Sequence, residues 1–142
     1  METSCPHRIG LGVEYRPCTL YSIAGWMSSW YEFDAIECPT AFGGYFRKDE
    51  GGGYIQGEMI DAFGSSKIEG FLEENKLSFN KMYTEKALLQ AASGIIRYEF
   101  DKVGDSWKGG FITAKGSIGR AECKILPVVE DAFGLIIGPV RE

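Results

Sequence analysis

Histidine is almost absent from this chain: His7 is the only one in 142 residues. A Cys/His zinc pattern therefore has no second imidazole, and a nucleophile activated by histidine would depend on a residue close to the start. No G-x-S-x-G elbow occurs either, so nucleophilic hydrolysis finds no footing. The four cysteines, Cys5, Cys18, Cys38 and Cys123, contain no C-x-x-C pair. Three of them stand in the first forty residues and one far downstream. That spread is read as reduced thiols in a cytosolic protein, with Cys123 as a small core residue. An excess of positive charge is missing too, since the net charge is −5. Lys and Arg stand singly, leaving no cationic stripe for a phosphate backbone or an anionic lipid surface. Nucleic acid and membrane are therefore not expected as partners. The longest nearly apolar stretch, Leu20 to Met27, is too short to cross a bilayer. The opening METSCPHRIG lacks the charged-then-apolar order of a signal peptide, which points to a cytoplasmic location. The run Gly51-Gly52-Gly53 precedes a strand-like segment, so no helix N-terminus stands behind it to cradle phosphate. No cofactor and no metal are expected.

Glycine, by contrast, is plentiful at 19 residues, scattered among strand-like runs rather than pooled in a linker. That suits a curved, tightly turning sheet. The clearest segment is Tyr54 to Leu72. Ile55, Gly57 and Met59 alternate with polar residues on one arm, and Ile68, Gly70 and Leu72 do so on the other. Successive strand residues face opposite ways, so each arm has one dry and one wet face. Asp61-Ala62-Phe63-Gly64 between them has the residues of a type I turn.

The same grammar recurs from Ala41 onward. Phe42 to Arg47, Tyr54 to Ile60, Ser66 to Leu72 and Lys76 to Tyr83 read as strands; so do Ile95 to Asp101, Trp107 to Thr113 and Ser117 to Leu126. Glu85 to Ser93, rich in Ala and Leu, predicts a helical turn among them. Residues 1–40 are expected to be irregular or helical. Leu20, Ile23, Met27, Trp30 and Tyr31 fit a short helical stripe, although Trp26 to Phe33 also fits a strand. The expectation is one all-β domain over 1–142. Its body, 41–127, is an antiparallel up-and-down meander closed into a barrel of about eight strands. The eighth strand comes either from the N-terminal segment or from Leu135 to Val140, within a C-terminal piece at 128–142. The tetrapeptide Asp61-Ala62-Phe63-Gly64 returns as Asp131-Ala132-Phe133-Gly134, which is read as shared turn chemistry rather than duplication.

Five short words carry a family resemblance: Phe42-Gly43-Gly44-Tyr45-Phe46, Gly57 to Gly64, Ile68-Glu69-Gly70, Phe79-Asn80-Lys81-Met82-Tyr83 and Trp107-Lys108-Gly109. With them, Phe42 to Pro127 resembles the calycin-like small β-barrels, the group of lipocalins, fatty-acid-binding proteins and avidins. More narrowly it is similar to bacterial barrels of unassigned function. The lipocalin G-x-W appears only as Gly25-Trp26, and nothing matches the biotin-site residues of avidins. The resemblance implies a barrel and supplies no ligand.

Within Lys76 to Tyr83 the alternation sets Leu77, Phe79, Lys81 and Tyr83 on one face. If that face is lumenal, Lys81 is an ammonium inside the barrel and must be paired or lose its proton. Asp61 projects to the same face, which makes it the expected partner. The pair would hold a carboxylate or phenolate ligand or tune Lys81 for Schiff-base chemistry; the alternatives are a structural ion pair near a barrel mouth and a lysine snorkelling outward. Tyr98, Trp107, Phe79 and Tyr83 would meet a ligand's apolar body, or else simply fill the barrel. The principal expectation is a non-catalytic module for a small apolar or aromatic molecule, with Lys81, Tyr83, Asp61, Tyr98, Trp107 and Phe79 as its site. The alternatives are a packed structural or interaction barrel, self-associating through an exposed aromatic face, and an enzyme acting through Lys81.

Overall fold

The computed structural model describes the backbone of residues 2–9, 12–28, 39–128, 130–131 and 134–135, with side chains in 18–28 and 39–128. Strands form where side chains alternate between apolar and polar. The elements are β1 (Glu2–Ile9), β2 (Gly12–Met27), β3 (Thr40–Asp49), β4 (Tyr54–Asp61), β5 (Ser65–Leu72), β6 (Lys76–Tyr83), α1 (Lys86–Ala91), β7 (Ile96–Val103), β8 (Ser106–Ile112) and β9 (Ile118–Pro127). Two-residue strands β10 (Glu130–Asp131) and β11 (Gly134–Leu135) follow.

Every strand pairs antiparallel with the next, from β1 to β9, and β2 also pairs with β9. That last pairing closes β2 to β9 into an eight-stranded up-and-down barrel. β2 holds the seam. One edge pairs with β3 over Cys18–Met27; the other pairs with β1 over Gly12–Thr19 and with β9 over Tyr21–Met27. The eighth strand therefore comes from the N-terminal segment, not from the C-terminal end.

The helix expected near Leu20 to Met27 is thus corrected to a strand. Ile23 and Met27 stand four apart, a spacing that suits one helical face and one strand face equally. Both are buried on the lumenal side of β2. Pairing on both edges between 21 and 27 decides for the strand, because it satisfies the backbone of the whole run. Trp30 and Tyr31 lie outside the described residues.

The reading of the cysteines as reduced is also corrected. Cys18 is disulfide-bonded. It sits fully buried on a doubly paired strand rather than in irregular chain, so its sulfur is held at a fixed place. Cys123 is a free, buried thiol on β9.

Inward-facing residues of all eight barrel strands merge into one core containing Ile23, Phe46, Ile55, Ile68, Leu77, Phe79, Tyr98 and Phe111. Strongly bent walls bring neighbouring backbones close at inward glycines. A Cβ added to Gly57 would lie 2.0 Å from the Tyr45 carbonyl oxygen, and one on Gly70 would lie 2.0 Å from that of Ser78. The predicted helical turn is α1, which stops at Ser93 and Gly94, both with positive φ. Leu88 packs against the core at that end of the barrel, and Ala92 is part of it. In both copies of Asp-Ala-Phe-Gly the backbone of the Asp pairs with that of the Gly: Asp61 N–H donates to the Gly64 carbonyl, and Asp131 pairs with Gly134.

Candidate functional site

Period-two alternation carries through β6, where Leu77, Phe79, Lys81 and Tyr83 are all buried. Lys81 therefore points into the lumen, with no exposed side-chain surface. Its Nζ lies 2.5 Å from Asp61 Oδ2, and the Asp61 side chain is fully buried as well. Tyr83 donates its hydroxyl to the same Oδ2 at 2.7 Å. The other carboxylate oxygen, Oδ1, accepts backbone N–H groups from Phe63 at 2.8 Å and Gly64 at 3.1 Å. One aspartate thus serves two structures: Oδ1 shapes the β4–β5 turn, and Oδ2 anchors the lumenal lysine.

The ammonium has little else. Met27 Sδ accepts from Nζ at 3.7 Å, and the rings of Tyr83 and Tyr98 lie 4.6 and 5.4 Å from it. Such ring faces attract a cation through their quadrupoles. Burial pulls the Lys81 pKa down, and the opposing charge of Asp61 only partly restores it. Tyr98 donates its hydroxyl to Met27 Sδ at 2.9 Å. Burial, aided by the Asp61 charge, holds that phenol well above its ordinary pKa. Every fully buried side-chain nitrogen and oxygen among the described residues has a partner.

Below this cluster the lumen is filled by rings. Phe79 and Tyr98 stack with centroids 5.0 Å apart, and Phe111 tilts onto Tyr98 at 5.3 Å. Phe79, Tyr98 and Phe46 are each about 1% exposed or less. Of the six residues expected to form one site, Lys81, Asp61, Tyr83, Tyr98 and Phe79 come together. Trp107 does not. It sits towards the opposite end of the barrel, where β8 begins.

There the barrel opens into a depression of about 940 Å³. Trp107, Leu72, Tyr21 and Ile125 line it on the lumenal side, with the β3–β4 turn and Lys102 around it. Lys102 Nζ lies 5.9 Å from the Trp107 ring. A second depression of about 550 Å³ lies on the outer wall, between Tyr45, Tyr54, Lys67 and Met82. Sequence reasoning missed Met27, Tyr21, Leu72 and Ile125 as site residues. Tyr21 and Met27 would have followed from reading Gly12–Met27 as a strand, since both share the parity of Ile23.

Among the described residues no cluster of three or more His, Cys, Asp or Glu could hold a metal ion, and no helix is long and apolar enough to cross a membrane. Comparison with protein-family models and with curated proteins returns no match for the chain.

Proposed function

We propose that this protein is a non-catalytic, calycin-like binding barrel that takes a small apolar or aromatic molecule at its open end. The mouth depression carries this reading. Its volume falls within the range of small-molecule sites, and Tyr21, Leu72, Trp107 and Ile125 give it an apolar floor inside a charged rim. Trp107, buried beside Leu72, closes the floor, and Lys48, Lys102 and Lys124 share the rim with Glu50, Glu73, Glu74 and Asp105. Lys81 lies too deep for direct contact. An enzyme working through its amine would need a path to a side chain that is wholly enclosed. The disulfide at Cys18 fits an oxidising compartment better than the cytosol.

The test is a titration with the neutral fluorophore N-phenyl-1-naphthylamine. Binding in the micromolar range is expected, weakened about tenfold by Ile125→Glu or Trp107→Phe. No binding by the parent, or equal binding by both variants, removes the mouth as the site. A second reading, a packed interaction barrel, is favoured by the filled lumen and by Ile112 opposite Ile118 on the outer wall. These two are 45% and 81% exposed. Under it the fluorophore fails to bind and the protein self-associates in sedimentation.

A further inference from the structure

We propose that Lys81 and Asp61 condense into an amide inside the barrel, a covalent cross-link tying the C-terminal part of β6 to the end of β4. The geometry around Asp61 is that of an acyl-transfer site built on the protein's own side chain. Lys81 Nζ is the nucleophile, already in contact with the carboxyl group at 2.5 Å. Holding two reactants in contact supplies the proximity that such a condensation needs. Oδ1, the oxygen that gains charge as the tetrahedral intermediate forms, faces two backbone N–H donors at 2.8 and 3.1 Å from Phe63 and Gly64. Paired donors at that range are the ordinary construction of an oxyanion hole. Oδ2, the oxygen that must leave, accepts the Tyr83 hydroxyl at 2.7 Å, so a proton donor stands at the leaving group.

The step balances without any added reagent. Lys81 passes a proton to Oδ2 across their hydrogen bond, leaving a neutral amine beside a protonated carboxyl. The amine lone pair attacks Cγ, the Nζ–Cγ bond forms, and the Cγ–Oδ2 bond breaks. Oδ2 departs as water with two of the three ammonium protons, and the third stays on the amide nitrogen. Tyr83 relays a proton and is unchanged at the end. Nothing is oxidised or reduced.

The surroundings favour this course. Asp61 is the only oxygen acceptor of the ammonium among the described residues, its remaining neighbours being the Met27 sulfur and two ring faces. Burial already weakens the hold of Lys81 on its proton. Condensation replaces two buried charges, each costly to desolvate, with one neutral amide. Neither side chain of the pair has exposed surface, which keeps bulk water from the reacting atoms.

The test is the intact mass of the full chain after reduction of disulfides, followed by proteolysis and fragmentation. A mass lower by one water, with a branched peptide joining Asp61 to Lys81, is expected. Lys81→Met and Asp61→Ala should each show the full mass for their sequence. A succinimide at Asp61 would also lose one water, but it would persist in Lys81→Met and yield only linear peptides. That result, or a parent protein at full mass, overturns the proposal. Tyr83→Phe keeps the ring in the core and should slow cross-linking after refolding by about tenfold or more. An unchanged rate removes Tyr83 as the proton donor and with it the mechanism proposed. If Lys81→Met does not fold, the branched peptide from the parent still decides.

Discussion

Ile23 on β2 lies directly opposite Gly44 on β3 and directly opposite Ile125 on β9, so one residue stands at the seam where the meander closes. It is 1% exposed. Ile23→Ala should remove about 2–5 kcal/mol of stability, the usual cost of deleting a buried branched side chain that the surroundings cannot refill. Urea unfolding checks this: the midpoint should fall with little change in slope. A loss below 1 kcal/mol would mean that the seam tolerates a void.

The two halves of the lumenal pair should not be equally sensitive. Asp61→Ala leaves the Lys81 ammonium with a sulfur and two ring faces, and it also strips the turn donors of Phe63 and Gly64 of their acceptor. Lys81→Met leaves a carboxylate that still accepts three hydrogen bonds. Both variants lose the cross-link alike, so their difference reports the uncondensed partner each leaves behind, and Asp61→Ala, which leaves a buried ammonium without a carboxylate, should be the more destabilised. Lys81→Met should cost clearly less. Thermal unfolding of the two variants gives the order, and the reverse order would refute the account of Asp61 as the better-used partner.

Gly57 and Gly52 make a matched comparison of close approach. A Cβ on Gly57 would meet the Tyr45 carbonyl oxygen at 2.0 Å and Phe46 Cα at 2.5 Å, both of them backbone atoms. Gly52 sits in the β3–β4 turn with nothing within 4 Å. Gly57→Val should cost about 3 kcal/mol or more, because the wall itself must shift, whereas Gly52→Val should stay within about 1 kcal/mol. Similar midpoints for the two variants would show that the wall at Gly57 relaxes freely.

Burial raises the Cys123 thiol from 9.0 to about 12, with the Glu122 charge adding to the effect. Between those values the unfolded chain has released the thiol proton and the folded chain has kept it. Fewer protons bound in the unfolded state means that stability falls as pH rises through this window, and that the contribution is fully present below pH 9.0. Cys123→Ala should flatten that part of the stability profile, measured by urea midpoints at stepped pH. The parent thiol should also resist a disulfide reagent until the protein unfolds.

The barrel body was legible because period-two alternation is a local property. Each of β3 to β9 has its own dry face, and turn residues such as Asp61 and Gly64 stand between the strands. The inward direction of Lys81 followed from the same counting, since Leu77, Phe79 and Tyr83 share its parity. Glu85 to Ser93 announced its helix through local propensity alone. These are decisions that neighbours along the chain make for themselves.

What local pattern could not decide was long-range pairing. Ile23 and Met27 suit a helix or a strand, and only β3 and β9 on either edge of β2 select the strand, across roughly a hundred residues in the case of β9. The disulfide at Cys18 likewise depends on a partner brought near by folding. The division of the six expected site residues between two ends of the barrel was invisible for the same reason. Parity shows which face a side chain occupies but not how far along the barrel it lies. Register sets that depth, and register is set by closure of the whole sheet: Trp107 was placed on the right face, and only the paired strands put it at the mouth while Lys81 and Asp61 met at the other end.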